Sequence, residues 1–208
     1  IPYRGEGALG QGKPLKSIIH GSSSIPIYTG VATDKGVATA AEIADGCILV
    51  WMNPKKSDLW SSSLIKGFDI SKDKNKSLDN FDLATVIRVS MGNDIDACRM
   101  KIKNTFALYI GGMGSRQKNF YNDYAKKLGY EEEARLIQDL FLSGEKEKAA
   151  QLVPDKLVDE TSLVGPKKHV EEQLENWCQA CSDQKIGSLI FNVSSKDEIE
   201  FISNILLK

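Results

Sequence analysis

The chain has 208 residues, 41% of them hydrophobic and 26% charged, values of an ordinary globular domain long enough to bury a sizeable core. Its formal net charge of −1 gives no electrostatic footprint for nucleic acid or an anionic membrane surface. No apolar run approaches the ~20 residues that a spanning helix needs, and no basic stretch leading into an apolar one marks a signal peptide.

Residues 1–24 are rich in Gly and Ser and read as a loop. The chain opens on Ile1-Pro2-Tyr3 without an initiator Met, as expected of a piece of something longer. Ile25 to Tyr28 is a short apolar run and predicts a first strand. Thr29 to Gly36 carries turn residues and two glycines. Val37 to Ala44 is rich in Ala, the best helix former, and Asp45-Gly46 ends that helix. Cys47 to Trp51 is a second apolar run. Two buried strands joined by a helix require a parallel crossover. The turn at 29–36 therefore lies at the carboxyl end of a parallel sheet, where α/β folds bind ligands, with a helix N-terminus opening onto it.

Residues 53–80 are polar and read as a long loop. Phe81 to Ser90 predicts the third strand. In it Thr85, Ile87 and Val89 share one face, and Ala84, Val86, Arg88 and Ser90 the other. Asn93 or Asp94 caps a helix over Ile95–Ile110, which Gly111-Gly112-Met113-Gly114 breaks. Helices follow over Gln117–Leu128 and Glu131–Leu142, with a shorter one over Glu145–Leu152. Pro166 starts another helix, in which Val170, Leu174, Trp177, Cys178 and Cys181 share a face. Gly187 to Val193 predicts the fourth strand. Ser195 and Glu198 form a capping box on the last helix, with Ile199, Ile202 and Leu206 along one side. The order is strand–helix four times with extra helices before the last strand, and no internal repeat is evident. Both a doubly wound sheet and part of a barrel fit this order.

Several segments carry a family resemblance. Gly30-Val31-Ala32-Thr33-Asp34-Lys35-Gly36 and its helix, Ala44-Asp45-Gly46, Leu108 to Asp123 with its Gly111-Gly112-Met113-Gly114 core, and Leu157 to Gly165 are similar to the luciferase-like (β/α)8 barrel oxidoreductases that use flavin or deazaflavin, coenzyme F420. The resemblance covers nearly the whole chain. It implies an α/β fold, a partial (β/α)8 TIM barrel whose four strands correspond to strands five to eight. Residues 1–208 would then be the C-terminal half of one barrel domain, with a helical insertion over 111–165. A whole barrel takes ~250 residues.

The resemblance also implies that the loop after the first strand binds the phosphate-bearing tail of reduced F420 or FMN, through Gly30, Val31, Ala32, Thr33, Lys35 and Gly36. An ordinary well-capped loop would look the same. Asp34 departs from the family, whose members often have Pro there. A carboxylate beside a phosphate is unfavourable unless it turns away. Arg88, in an apolar strand, needs a partner, either a substrate or coenzyme anion or an acidic neighbour. Arg116 sits in a cationic loop with Lys118, Asn119 and Tyr121 that suits an anionic ligand or simply turns between helices. Trp51 would wall the ligand pocket or sit in the core.

The implied activity is hydride transfer or oxygen-dependent oxidation of a small organic substrate, with no nucleic-acid or membrane partner. The full-length enzyme is expected to be a cytoplasmic homo-oligomer, and the isolated half inactive. The family's proton-handling residues lie mostly on early strands, so no catalytic residue is named. A non-catalytic half-barrel that pairs with another chain is the alternative. Cys178-x-x-Cys181 lacks a second pair or a His at zinc-like spacing, so no metal site is expected. The four cysteines fit a reducing compartment as free thiols. His20 and His169 are isolated.

Overall fold

The computed structural model describes residues 5–8, 18, 21, 22 and 24–207. Most of the expected leading loop, His20 included, lies outside them. Among the described residues five strands form one sheet, and every pairing in it is parallel.

The first strand, β1, is Tyr28–Gly30 and leads into helix α1, Asp34–Ile43. Ile25 and Ile27, expected within it, precede it and are exposed. The neighbouring strand begins only at Gly46, so the ladder starts at Tyr28. That neighbour, β2, is Gly46–Val50. It ends where Trp51 takes a left-handed backbone, φ 52°, a conformation a non-glycine residue holds only under constraint.

Residues 53–80 are not the long loop their polarity predicts. Pro54–Trp60 forms a 3₁₀ segment and Ser61–Ile70 forms helix α2. Three serines and Gly67 give this segment weak helix propensity. Tertiary packing supplies what propensity lacks. A Cβ on Gly67 would lie 2.2 Å from Ala38 O and 2.5 Å from Ala41 Cβ, so the missing side chain is what lets α2 lie flat on α1.

The central strand, β3, spans Asp82–Met91, followed by α3 at Ile95–Ala107, capped by Asp94. The predicted helix to Ile110 gives way to a π turn at Leu108–Gly112. Helices α4 (Phe120–Lys127), α5 (Glu131–Leu142), α6 (Lys146–Leu152) and α7 (Asp155–Thr161) follow. A strand absent from the sequence reading, β4, occupies Ser162–Gly165. It is four residues long and buried throughout, so it shows no alternation to read. Ion pairs from α3 to α7, Arg99 with Asp159 at 2.6 Å and Lys103 with Asp155 at 2.5 Å, hold the segment leading into it. Helix α8 is Lys167–Ser182, β5 is Ser188–Asn192 and α9 is Lys196–Leu206.

Arg88 is partnered with both Ser162 of β4 and Asn192 of β5, so these strands lie on opposite edges of β3. Ala84 to Val86 are likewise shared by β2 and β5. Strands β2 and β4 therefore line one edge of β3 end to end, and β4 takes over where Trp51 turns the chain away.

On β3, Leu83, Thr85, Ile87 and Val89 are at most 5% exposed and form the covered face. The other face is more open. Its in-register rows are Gly30, Ile48, Ala84 and Ser188, then Val50, Val86 and Ile190, then Arg88 and Asn192. Ile190 is 41% and Tyr28 38% exposed. At the amino end of this face Tyr28 reaches over Gly46 and donates to Asp82 Oδ2 at 2.9 Å, and Ser188 Oγ donates to the same oxygen at 2.6 Å. The capping box on α9 forms as expected. Of the residues predicted along its apolar side, Ile202 is buried, whereas Ile199 is 51% and Leu206 39% exposed. Phe201 and Ile205 pack in their place.

Candidate functional site

The carboxyl ends of all five parallel strands open on one side of the sheet, and the loop after β1 lies there. Val31 N–H donates to Ile48 O at 3.1 Å, which fixes the start of the loop on β2. Thr33 is the N-cap of α1, and its Oγ1 accepts from Gly36 N at 3.0 Å. The Gly36 amide is thus used within the helix. Gly30 is exposed, with nothing within 4 Å of where a Cβ would be, so room for a ligand beside its backbone is open.

Asp34 does turn away. Its Oδ1 accepts from Ser63 Oγ at 2.8 Å and pairs with Lys127 at 2.5 Å. The bond to Lys127 holds its carboxyl below the usual carboxylate value. Lys35 has no ion-pair partner among the described residues. An open groove of about 720 Å³ runs beside it, lined by Val31, Thr33, Lys35 and Gly36 on one side and by Lys118 and Phe120 on the other. Two segments more than 80 residues apart in sequence thus converge. Ala32 belongs to the loop but does not line this groove.

Arg88 is half-buried on the open face of β3. It has no acidic partner among the described residues. Its guanidinium instead lies 6.0 Å from the ring centre of Tyr109. Arg116 behaves differently: it pairs with Asp139, which Arg135 also contacts at 3.1 Å. It lines a separate cavity with Lys126 and Glu131, away from the groove that holds Lys118. Asn119 is consumed by structure. Only 3% exposed, it caps α4 and donates to Tyr109 O at 3.0 Å and Ile110 O at 2.9 Å.

Trp51 is 4% exposed and belongs to the core. It packs against Phe106 at 4.6 Å, Tyr121 at 5.6 Å, Tyr109 at 6.1 Å and Tyr124 at 6.2 Å. Tyr109 went unremarked in the sequence. Only the π turn brings it to Arg88, and nothing in the one-dimensional pattern announces that turn. Cys178 and Cys181 are free and half-buried in α8, and burial raises both thiol pKa values. His169 stands 3.9 Å from Glu172. Among the described residues no group of three His, Cys, Asp or Glu is arranged to hold a metal ion, and no helix is long and apolar enough to cross a membrane.

The profile of the luciferase-like monooxygenase family matches residues 3–184. A Mycobacterium tuberculosis protein that carries the name coenzyme F420-dependent oxidoreductase is 36% identical over 178 residues, which are 85% of this chain and 51% of that protein. The 5,10-methylenetetrahydromethanopterin reductase of Archaeoglobus fulgidus is 24% identical over 86% of this chain and 52% of its own. The coenzyme F420-dependent tetrahydromethanopterin reductase of Methanopyrus kandleri has the same fold over 88% of this chain and 49% of its own, with a TM-score of 0.63 at 23% identity. The chain spans about half the length of the curated relatives it matches.

Proposed function

Because the chain belongs to the luciferase-like monooxygenase family, we propose that it is the C-terminal half of a (β/α)8 barrel oxidoreductase that uses reduced coenzyme F420 or FMN on a small organic substrate. In this reading its strands are the later strands of the barrel, residues 111–165 are an insertion that is helical up to the short strand β4 at its end, and the open face of the sheet is the barrel interior. The full-length protein would be a homo-oligomeric enzyme of the cytoplasm, a compartment that suits its free thiols.

One observation carries the coenzyme assignment. The first turn of α1 presents Lys35, which has no ion-pair partner among the described residues, to a groove, while its own carboxylate, Asp34, is tied to Lys127 and Ser63 and does not line that groove. A helix N-terminus with a cation and no facing anion suits a phosphate. Thr33 holds the helix start, Gly30 leaves room beside the backbone, and Gly36 keeps the turn compact. A Cβ at Gly36 would press on Thr33 Oγ1 at 3.1 Å and Val31 Cγ1 at 3.3 Å. Lys118 extends the cationic rim, and Phe120 gives it an apolar wall. The coenzyme, when bound, supplies the hydride chemistry. This chain's residues anchor its tail and shape one wall of the pocket. Arg88 is the better placed of the two predicted substrate contacts, since Arg116 is already paired with Asp139.

The test is retention of coenzyme by the full-length protein. Incubation with F420 and with FMN, followed by gel filtration, should leave one of them bound and reducible. Failure to retain either would count against the reading. The open face, with Ile190 41% exposed, favours a second reading, a non-catalytic half-barrel that pairs with another chain. Four further strand–helix units encoded ahead of Ile1 would decide for the oxidoreductase, and a start codon immediately before Ile1 for the pairing module.

A further inference from the structure

We propose that Arg88, Tyr109 and Tyr121 form a recognition site for the carboxylate of an aromatic acid, at the carboxyl end of the open sheet face. A guanidinium in the middle of a parallel sheet is costly to desolvate without a counter-charge. The sheet neighbours of Arg88 are Ser162 and Asn192, which bring none. The adjacent side chain on its own face toward the carboxyl end is Ser90, also neutral and buried. What stands beside Arg88 is the ring of Tyr109, which in turn meets Tyr121 edge-on at 4.6 Å and 89°.

This constellation is held in place by its surroundings. Tyr109 sits in the π turn, a form that recurs at functional sites. The turn's carbonyl groups are fixed by buried amides: Asn119 Nδ2 bonds Tyr109 O and Ile110 O, and Asn122 Nδ2 bonds Ile110 O at 3.1 Å. Behind Tyr121 lies Trp51, whose left-handed backbone is a strain of the kind that collects at ligand sites. Neither phenol oxygen of Tyr109 or Tyr121 has a hydrogen-bond partner among the described residues, and neither is a buried orphan. Both are open to a ligand. Burial, and then its neighbour Tyr109, push the Tyr121 hydroxyl pKa up, so it remains a donor at neutral pH.

A guanidinium binds a carboxylate through two parallel N–H donors, and the two phenols add donors beside it. The aromatic edges offer a surface for a planar ring. A neutral amide of the same shape would forfeit the charge-assisted bonds. Naming this ligand a substrate rests on the oxidoreductase reading, whereas the carboxylate site is read without any coenzyme.

The full-length protein, with ¹³C-ring-labelled tyrosine, is titrated with benzoate and with benzamide by NMR. Tyr109 and Tyr121 resonances are assigned from the Tyr109→Phe and Tyr121→Phe variants. Benzoate should shift both resonances saturably, and benzamide should bind about tenfold more weakly or less, the loss of a charge-assisted contact. Arg88→Gln should weaken benzoate about tenfold with an unchanged circular dichroism spectrum, and Arg88→Lys should recover part of that. If Arg88→Gln does not fold, Tyr121→Phe carries the test, with an expected loss of about threefold. No benzoate response in the wild type, equal binding of benzamide, or wild-type binding by the folded variant would overturn the proposal. Coenzyme affinity of the full-length protein should fall in Lys35→Ala and not in Arg88→Gln. Unchanged coenzyme binding in Lys35→Ala would sink the coenzyme reading while leaving the benzoate result intact.

Discussion

Lys127 Nζ lies 2.5 Å from Asp34 Oδ1 and 3.9 Å from the ring centre of Trp60. A lysine from α4 thus fixes the one carboxylate of the first turn of α1. The helix start keeps an acidic residue, favourable for its dipole, without turning it toward the groove at Lys35.

Lys127→Met should release that carboxylate. The Asp34 pKa should rise toward its ordinary 3.8, read from the side-chain carbon in an NMR titration. The folded pKa of Asp34 is depressed, so the pair stabilises the protein above the unfolded value and ceases to do so as pH falls through the folded one. Asp34 is mostly exposed, so the loss at pH 7 should be small, ~0.2–1 kcal/mol. An unmoved Asp34 titration would show that Ser63, not Lys127, sets its pKa.

Gly67→Ala should separate α1 from α2. The added carbon would meet a backbone carbonyl, which cannot yield as a side-chain tip does. We expect a destabilisation of ~1–3 kcal/mol in urea. Ser62→Ala, on the exposed side of the same helix, should be neutral or slightly stabilising. Equal stability of the two variants would contradict the close packing.

Glu198 joins three elements. Its carboxylate accepts from Met91 N at 3.0 Å at the end of β3, and from Ser194 N at 2.7 Å and Ser195 N at 3.1 Å before α9. Burial pushes its pKa up, but the bonds from Ser194, Met91 and Ser195 outweigh it and the net value lies below the ordinary 4.5. Glu198→Gln would turn an amide N–H₂ toward these donors, at a cost of ~1–3 kcal/mol at pH 7. The stabilisation is complete above pH 4.5 and fades as pH falls through the folded value. The gap between wild type and variant should therefore narrow in acid. A gap that is the same at pH 7 and pH 3 would contradict this assignment.

Much of this arrangement was legible in the sequence. The Ala-rich α1, the alternation along β3 and the Ser195–Glu198 box are local signals, and each marks its element to within a few residues. Helix α2 was not legible, because its stability comes from Gly67 fitting against α1 rather than from propensity. Strand β4 was hidden by its length and by burial on all sides. At the site, the loop from Gly30 to Gly36 was readable from turn chemistry and the family resemblance. The pairings Asp34–Lys127 and Arg116–Asp139 and the approach of Lys118 to Lys35 join distant segments, which a single sequence does not pair.

The chain alone should self-associate. Ile190, Tyr28 and Ile27 leave apolar surface exposed at 41%, 38% and 64%, and the outer strands β1 and β5 have free edges among the described residues. Sedimentation velocity should show species larger than one chain, and Ile190→Asp should shift them toward the monomer. A monodisperse monomer at all concentrations would argue against an uncovered barrel interior.

The central claim is that Lys35 and the start of α1 hold a coenzyme phosphate. The most direct measurement is a fluorescence titration of F420, with FMN in parallel, into the full-length protein and its Lys35→Ala and Thr33→Ala variants. A charge-assisted contact contributes ~1.5–3 kcal/mol, so Lys35→Ala should weaken binding by about tenfold or more. Thr33→Ala should weaken it too, and turnover at saturating coenzyme should change less than affinity. Unchanged affinity in both variants would contradict the account.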